Sequence, residues 1–241
     1  MAQKIMIASG KGGVGKSSLT AGLGRALTEL GKKVLVLDMD IGLRSLDLIF
    51  GVQQDMLFDW GDIVDNGCDI DRATVMTDGP SLITAPMHID TSFTDEKIKK
   101  LSELLSESYD YIIFDAPAGL SMGFSLACAA ADRAIVVSTM DEVCVRSVNL
   151  TASMIRRSGI EDVRLVINRF DEKAVIKGKL LNIDDVIDAT CVRLIGVVPE
   201  DNIVSHCAVR GENLPYKCEA RQSFLRIAKR IDGENIPLFG G

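Results

Sequence analysis

The chain has 241 residues, of which 47% are hydrophobic and 25% are charged. This composition is typical of a globular protein, and no apolar run approaches the roughly 18 residues that span a bilayer, so we expect a soluble protein. The formal net charge of -7 opposes attraction of nucleic acid to the surface as a whole, although a local basic patch would still allow it.

Short β-branched segments alternate with segments of helical periodicity along the chain. Strands are predicted at 4–9, 33–40, 81–86, 109–117, 133–139, 163–168 and 193–199, and helices near 16–30, 57–66, 94–107, 121–131, 141–158, 183–189 and 218–232. Strands that are apolar on both faces and alternate with helices predict an α/β fold, with a mostly parallel sheet covered by helices on both sides. Because the chain has no repeat or flexible linker, we expect one domain, 1–241, in which 218–241 form a C-terminal helix and a short tail.

The segment between the first strand and the first helix is a phosphate-binding loop. It matches G-x-x-x-x-G-K-[ST], in which Lys16 is the phosphate lysine and the Ser17 hydroxyl is suited to Mg²⁺. The flanking strand and helix aim backbone N–H groups and the positive helix end at one point, which favours a polyphosphate over an ordinary glycine-rich turn. The predicted nucleotide-binding residues of this loop are Gly10, Lys11, Gly12, Gly13, Val14, Gly15, Lys16, Ser17 and Ser18.

Three aspartates stand where predicted strands end. Asp38 and Asp40 are two residues apart after the second strand, so both side chains can face the carboxyl edge of the sheet, where open α/β sheets bind ligands. Asp115 ends the apolar segment "YIIFDAPAG", where phosphate-loop enzymes place the acid that steadies magnesium. A single such aspartate is more often a helix cap or a turn residue, but three beside a phosphate loop predict metal and water binding.

Cysteine usage and the N-terminus carry less information. The six cysteines form no C-x-x-C pair, and only two histidines are present, so structural thiols are favoured over metal ligands. The chain begins with the strand-like segment "KIMIAS" rather than a secretory signal, and we therefore expect a cytoplasmic protein.

The loop "KGGVGKSS" resembles the deviant motif K-G-G-x-x-K-[ST] of an ATPase family. This family includes MinD, ParA, the nitrogenase iron protein, Mrp-type cluster carriers and the arsenite-pump ATPase. The resemblance implies an ATP-dependent homodimer in which Lys11, the early lysine of the motif, reaches the phosphates bound by the partner subunit. The alternative for Lys11 is a solvent-exposed loop lysine without a role.

Within the family, the stretch "DMDIGLRSLDLIFG" is similar to the MinD group of division-site ATPases, and "FDAPAG", "AIVVST", "LVINR" and "GVVPED" follow in the expected order. The resemblance implies that Asp38 and Asp115 act on Mg²⁺ with Ser17, mostly through water. It assigns catalytic roles to Lys11, Lys16 and Asp40, of which Asp40 orients the attacking water. The implied adenine contacts are Asn168, Arg169, Pro199, Glu200 and Asp201.

Three departures from the MinD pattern bear on coupling, partners and anchoring. Position 45 is Ser rather than Asn, and the acidic run of the helix at which MinD meets its inhibitor and stimulator is replaced by Ser147 and Asn149. Partners of the MinC and MinE type are implied, with their identity open. The chain keeps "IPLFGG" without a separate basic amphipathic tail, so the last helix is predicted to pack in the core, with a membrane-surface helix as the alternative.

These observations predict a Mg²⁺-dependent, MinD-like ATPase, with ATP and ADP as ligands, that cycles a regulator of division-site selection. We expect it in the cytoplasm and in weak contact with the inner face of the cell membrane, through Ile236, Leu238 and Phe239. The alternatives are a ParA-like DNA-partition ATPase, a flagellar-number regulator and, less favoured, an iron–sulfur carrier. The acidic balance argues against DNA, and the absence of paired cysteines argues against a cluster.

Overall fold

A computed structural model describes residues 1–90 and 92–238. Its eight strands form one sheet in the order β3-β4-β2-β5-β1-β6-β7-β8. The strands are β1 Gln3–Ser9, β2 Val34–Asp38, β3 Val75–Met76, β4 Ser81–Ile83, β5 Tyr111–Ala118, β6 Arg133–Ser138, β7 Asp162–Phe170 and β8 Arg193–Pro199. All pairs are parallel except that of β3 with β4, so the predicted α/β class and mostly parallel sheet are confirmed.

Eleven α-helices are described in these residues, together with a short 3₁₀ helix at Gln53–Asp55. The α-helices are α1 Lys16–Glu29, α2 Leu46–Phe50, α3 Trp60–Asn66, α4 Ile70–Ala73, α5 Asp95–Leu105, α6 Met122–Ala130, α7 Glu142–Arg157, α8 Glu172–Ile176, α9 Ile183–Thr190, α10 Asn202–Arg210 and α11 Glu219–Ile231. Six of the seven predicted helices agree within two residues at each end. The exception is the helix expected at 57–66, which begins at Trp60 because Asp59 caps it by accepting hydrogen bonds from the N–H groups of Gly61 and Asp62.

The sequence prediction missed one strand and four α-helices. The strand β3 has two residues, and α2, α4 and α8 have four or five, too short to show a hydrophobic period. The fourth, α10, has nine residues but only one buried side chain, that of Cys207. Two predicted strands also end early, at Asp38 and Ile83, because the chain leaves the sheet there to form the edge that carries the site.

Two hydrophobic layers enclose the sheet. We call the layer that contains Leu19, Leu23 and Leu27 of α1 the α1-side core, and the layer on the other face of the sheet, which contains Trp60 and Phe114, the opposite core. Side chains of each central strand alternate between the two layers. Both faces of the sheet are therefore buried away from solvent, and for this reason the sequences of its strands are continuously apolar.

The last helix, α11, packs in the α1-side core. Phe224, Ile227, Ala228 and Ile231 are buried there. Phe224 lies so close to α1 that a Cβ on Gly22 would stand 2.3 Å from its ring. The core interpretation of this helix is thus confirmed, and the membrane-surface alternative for the same residues is wrong, because its apolar face is already used inside the protein.

The chain beyond α11 is held by Arg230, whose guanidinium donates hydrogen bonds to the carbonyl oxygens of Ile195, Ile236 and Pro237. Ile236 and Leu238 are partly exposed, and Phe239, the third residue of the predicted apolar tip, lies outside the described residues. Within the described part of the chain, every helix is too short or too polar to cross a bilayer.

Candidate functional site

The phosphate loop connects β1, near the centre of the sheet, to α1. Gly13 and Gly15 have φ angles of 81° and 86°, in the left-handed region that glycine adopts without strain. Gly15 is the N-cap residue of the 14-residue helix α1, and no side chain caps the helix there. The first N–H groups of α1 are therefore free to bind an anion at the carboxyl edge of the sheet.

Two glycines of the loop are required by close neighbours. A Cβ on Gly10 would stand 2.6 Å from the Cβ of Ser147 in α7, and a Cβ on Gly15 would stand 2.3 Å from the Nδ2 atom of Asn168. The Asn168 amide in turn donates a 2.7 Å hydrogen bond to the Val14 carbonyl. The loop is thus held between α7 and the end of β7, in a shape that only small residues fit.

Asp115 is the centre of the polar network under the loop. This carboxylate is completely buried, and its Oδ1 atom lies 2.9 Å from the Lys16 Nζ atom. It also accepts hydrogen bonds from the Ser17 hydroxyl at 2.6 Å and the Thr20 hydroxyl at 2.7 Å. One carboxylate therefore fixes Lys16 and Ser17, the residues predicted to bind phosphate and Mg²⁺.

Asp38 lies beside Asp115 in the register of β2 and β5 and is equally buried. Its oxygens accept backbone hydrogen bonds from Asp40, Ser45 and Leu46, at 2.9, 3.2 and 3.4 Å. Burial, followed by the neighbouring charge of Asp115, raises the pKa of Asp38 to about 7, against the effect of these hydrogen bonds. A positive charge brought to this edge would favour its ionised form.

The segment after β2 bends back over the phosphate loop. The Ser45 hydroxyl donates a 3.2 Å hydrogen bond to the Ser17 hydroxyl, so serine at this position reaches the predicted metal ligand. Asp40 is half-buried, and burial raises the pKa of its carboxyl while Lys16 opposes the rise. Arg44 adopts a φ of 38°, and its side chain anchors the segment through Asp59 at 2.9 Å.

The oxygen donors at this edge fit Mg²⁺. Ser17, Asp38 and Asp115 supply hard oxygen ligands, and Mg²⁺ is usually held by one or two carboxylates together with water and substrate phosphates. Among the described residues no group of three or more His, Cys, Asp or Glu side chains could hold a metal ion. This donor set suits a metal that arrives with a phosphate and does not suit a resident all-protein metal centre.

The predicted adenine contacts line one cleft. Asn168, Arg169, Pro199, Glu200 and Asp201 surround it, together with Gly15 and Ser18 of the phosphate loop. Arg169 has a φ of 55°, in the left-handed region that is uncommon for residues other than glycine, and its Nε atom lies 3.8 Å from a carboxylate oxygen of Glu200. Asp201 also caps α10, since its Oδ1 atom accepts a 2.9 Å hydrogen bond from the Ile203 N–H. Its carboxylate therefore shapes the wall of the cleft.

A larger cavity of about 460 Å³ adjoins this cleft and shares Ser18, Val204 and Phe224 with it. Four of the five charged residues on its wall are paired with one another. Arg25 lies 3.1 Å from Asp78, and Arg221 lies 2.9 Å from Glu29. These pairs leave little unsatisfied charge for a ligand in the larger cavity.

Lys11 lies apart from the buried aspartates. Its side chain is 49% exposed, and its Nζ atom is 3.6 Å from the Oδ1 atom of Asp141, the N-cap residue of α7. Partial burial raises the pKa of the Asp141 carboxyl. Hydrogen bonds from Cys144 and Thr139, together with the charge of Lys11, outweigh this effect and hold the pKa below its usual range. Lys11 is thus tethered weakly at the surface.

Three contacts of the site escaped the sequence analysis. Thr20 binds Asp115, and Ser147 packs against Gly10. Trp60 donates its indole N–H to the Asp38 carbonyl at 2.8 Å. Trp60 is the only tryptophan of the chain, and its rarity could have marked it as a candidate for a structural role near the site. Thr20 and Ser147 look like ordinary helix residues in the sequence, and only the packing of their helices shows their contacts.

Comparison with known proteins shows what this arrangement resembles. A model of the family described as CobQ/CobB/MinD/ParA nucleotide-binding domain matches residues 5–214. The septum site-determining protein MinD of Synechocystis sp. is 36% identical over 242 residues, which cover 97% of this chain and 90% of that protein. The match therefore includes the phosphate loop, the three aspartates and the cleft lined by the predicted adenine contacts.

Two solved structures resemble the fold over nearly its whole length. A chain of the MinC:MinD cell division protein complex of Aquifex aeolicus has a TM-score of 0.92 and 35% identity, and the match covers 99% of both chains. The septum site-determining protein MinD of Pyrococcus horikoshii, in complex with Mg-ADP, has a TM-score of 0.83 and 26% identity, with 97% of both chains covered.

Proposed function

The chain belongs to the CobQ/CobB/MinD/ParA family of nucleotide-binding proteins, and from this premise we propose that it is a MinD-like, Mg²⁺-dependent ATPase that acts in division-site selection. ATP binding favours a homodimer, and hydrolysis to ADP and phosphate returns the protein to monomers. The similarity to MinD proteins over nearly the whole chain supports this function over DNA partition.

The observation that carries the proposal is the Asp115 network. A single buried carboxylate contacts Lys16, Ser17 and Thr20, three residues in the first five positions of α1. The arrangement holds the phosphate lysine and the metal-binding hydroxyl side by side at the N-terminus of a helix. Such a site binds a polyphosphate with its divalent cation.

Each residue of the site has a distinct part in hydrolysis. Ser17, with Asp38 and Asp115 largely through water, would hold Mg²⁺, and the charge of that ion would offset the charge of the phosphates. Lys16 leaves Asp115 to bind the phosphates. Asp40, half-buried at the same edge, orients the attacking water, and its role is mainly positioning because a carboxylate is a weak base. We therefore expect slow turnover, which suits a switch.

The surface position of Lys11 gives a physical reason why hydrolysis would need the dimer. Within one chain it pairs with Asp141 at the surface and adds no contact to the buried Asp115 network. A half-exposed pair of this kind is worth at most about 1 kcal/mol, so its rupture costs little. In the dimer, Lys11 is released to reach the phosphates of the partner subunit, where its charge stabilises the transition state.

The helix α7 offers a surface for a protein partner. Val143 and Leu150 are exposed and stand seven residues apart, with exposed Arg146 between them on the same face. One matching solved structure is a MinC:MinD complex, and we propose a partner of the MinC type, and one of the MinE type, for this face. The packing of Ser147 against Gly10 places this helix in contact with the phosphate loop, so partner binding and nucleotide state can be linked.

The C-terminal segment would provide weak membrane contact. Ile236 and Leu238 are partly exposed beyond α11 and can insert into a lipid surface. A few such side chains give only several kcal/mol, so stable binding needs the dimer to double them. We therefore propose a cytoplasmic protein that binds reversibly to the inner face of the cell membrane in its ATP-bound state.

Turnover and oligomeric state test this function together. Wild-type protein should hydrolyse ATP slowly and only with Mg²⁺, and it should sediment as a dimer with ATP and as a monomer with ADP. Asp40→Ala should remain dimeric in ATP because hydrolysis stops. A variant that stays monomeric at saturating ATP would contradict the proposed cycle.

Co-sedimentation with anionic liposomes at physiological salt tests the membrane part separately. Pelleting in ATP and release in ADP are expected. If the protein pellets in neither state while the ATP-dependent dimer forms, the cycle stands and the membrane proposal is wrong.

A further inference from the structure

Thr84, the first residue after β4, has a buried side-chain hydroxyl whose hydrogen bonding the site described above does not explain. It is completely buried, and its hydroxyl has no hydrogen-bond partner among the described residues. Buried hydroxyls nearly always have a partner, and leaving one unpaired costs about 1–3 kcal/mol. A partner that arrives with solvent or with a ligand would satisfy this hydroxyl.

The backbone places Thr84 next to Asp38. Leu37 of β2 pairs with Ile83 of β4, so the residues that follow them, Asp38 and Thr84, are neighbours at the edge of the sheet. Trp60 links their main chains, because its backbone N–H donates to the Thr84 carbonyl at 3.1 Å and its indole N–H donates to the Asp38 carbonyl at 2.8 Å. The two residues therefore stand at the same level.

Their side chains also share a face of the sheet. Val36 and Leu82 both belong to the α1-side core. Asp38 and Thr84 follow them by two residues, and alternate residues of a strand lie on the same face. Thr84 is consequently on the side of the sheet that carries α1 and the Asp115 network.

The carboxylate of Asp38 has acceptor capacity to spare. Its Oδ2 atom accepts from the N–H groups of Ser45 and Leu46, while Oδ1 accepts from that of Asp40 alone. Two carboxylate oxygens offer about four lone-pair positions, so one position on Oδ1 remains. A buried donor without a partner and a buried acceptor with room thus lie at the ends of two neighbouring strands.

We propose that Thr84 is a positioning residue of the metal site. Its hydroxyl holds the carboxylate of Asp38 through an ordered water, and so fixes the direction in which Asp38 meets the Mg²⁺ shell. This inference rests on the proposed function, since it needs the Mg²⁺ of a nucleotide complex. Residues that orient a metal ligand commonly change metal affinity by about 10- to 100-fold when they are removed.

The test compares Thr84→Val, which keeps the shape and removes the hydroxyl, with Thr84→Ser, which keeps the hydroxyl. Binding of ADP is titrated against Mg²⁺ by calorimetry, and Trp60 emission is followed in parallel. Thr84→Val should raise the Mg²⁺ concentration for half-saturation about 10-fold, and Thr84→Ser should stay within about 2-fold of wild type. Thr190→Val is the matched control, because Thr190 is buried and bonds only within its own segment.

A purely structural threonine predicts a different pattern. Replacing an unpaired buried hydroxyl by a methyl would raise the free energy of unfolding of the apo protein and leave the Mg²⁺ titration unchanged. Unchanged Mg²⁺ dependence in Thr84→Val, with normal Mg-ADP binding by wild type, overturns the inference and leaves the proposed function standing. Failure of wild type to bind Mg-ADP would overturn both.

Discussion

Two buried aspartates on neighbouring strands should respond in opposite directions to the loss of their charge. Asp38 and Asp115 are partners in the register of β2 and β5, and both are fully buried. Asp115 lies 2.9 Å from the buried ammonium of Lys16, whereas Asp38 accepts only backbone hydrogen bonds. Substitution by Asn keeps the size of either side chain, removes the charge and replaces one acceptor oxygen by an NH₂ donor.

Asp115→Asn should destabilise the apo protein strongly. Lys16 is only 7% exposed, and the substitution leaves its charge without the carboxylate that pairs with it. Removal of one partner from a buried pair costs about 3–5 kcal/mol. We expect a decrease of about this size in the free energy of unfolding.

Asp38→Asn should be neutral or stabilising. Burial, with the charge of Asp115, raises the pKa of Asp38 from 3.8 to about 7, which corresponds to an unfavourable free energy of the ionised form on the order of 4 kcal/mol. The amide group would face backbone N–H donors, which costs about 1–3 kcal/mol. The net gain in the free energy of unfolding at pH 8 is thus roughly 1–3 kcal/mol.

The pH dependence follows from the same shift. Between pH 4 and pH 7 the folded protein binds more protons at Asp38 than the unfolded chain does, because the pKa of this group is raised on folding. Its contribution therefore makes the folded state less stable as the pH rises through this window. Asp38→Asn should remove that part of the slope.

The assay is urea unfolding in EDTA, followed by the emission of Trp60, the only tryptophan and a buried one. Asp78→Asn, which removes a partly exposed partner of Arg25, is the control and should change stability by less than about 1 kcal/mol. If Asp38→Asn destabilised the protein as much as Asp115→Asn, the assignment of the two carboxylates to different electrostatic environments would be refuted.

Three further predictions test the loop, the dimer and the last helix. Lys11→Ala should leave Mg-ADP affinity within about 3-fold of wild type, because exposed ion pairs are weak, and should abolish the rise of ATP turnover with protein concentration. The control is Lys179→Ala, which removes an exposed lysine that follows α8, and a retained rise in Lys11→Ala would contradict a role for Lys11 across the dimer. Gly10→Ala should lower ADP affinity in calorimetry because its Cβ would stand 2.6 Å from the Cβ and 2.8 Å from the carbonyl oxygen of Ser147, and Ser147→Gly should not restore it because the carbonyl remains; wild-type affinity in Gly10→Ala would contradict the close packing of the loop against α7. Ile227→Ala should lower the free energy of unfolding by about 2–5 kcal/mol in urea titrations, as expected for a core residue, and a change below about 1 kcal/mol would count against the packing of α11.

The predicted fold agrees with the structure where the sequence has strong periodicity. The strands around β1 and the long helices α1, α5, α7 and α11 are apolar over many residues, so local pattern alone identifies them. The segments α2 and α8 form because neighbouring elements hold them in place. Their few residues carry too little periodic information to be recognised in isolation.

Tertiary structure alone could decide which residues of the site touch. The spacing of Lys16 and Ser17 in the loop indicates phosphate binding by itself, because glycine geometry and a helix N-terminus are local properties. The hydrogen bond of Thr20 to Asp115 joins residues 95 positions apart, and the pairing of β2 with β4 brings Thr84 to the same sheet edge as Asp38, 46 positions earlier. Such contacts depend on the register and order of strands, which are set when the whole sheet buries both of its faces. The sequence by itself therefore determined the phosphate loop, its family and the alternating fold. The folded sheet decided that Asp115 is paired with Lys16, that burial raises the pKa of Asp38, and that Thr84 lies at the same edge as Asp38.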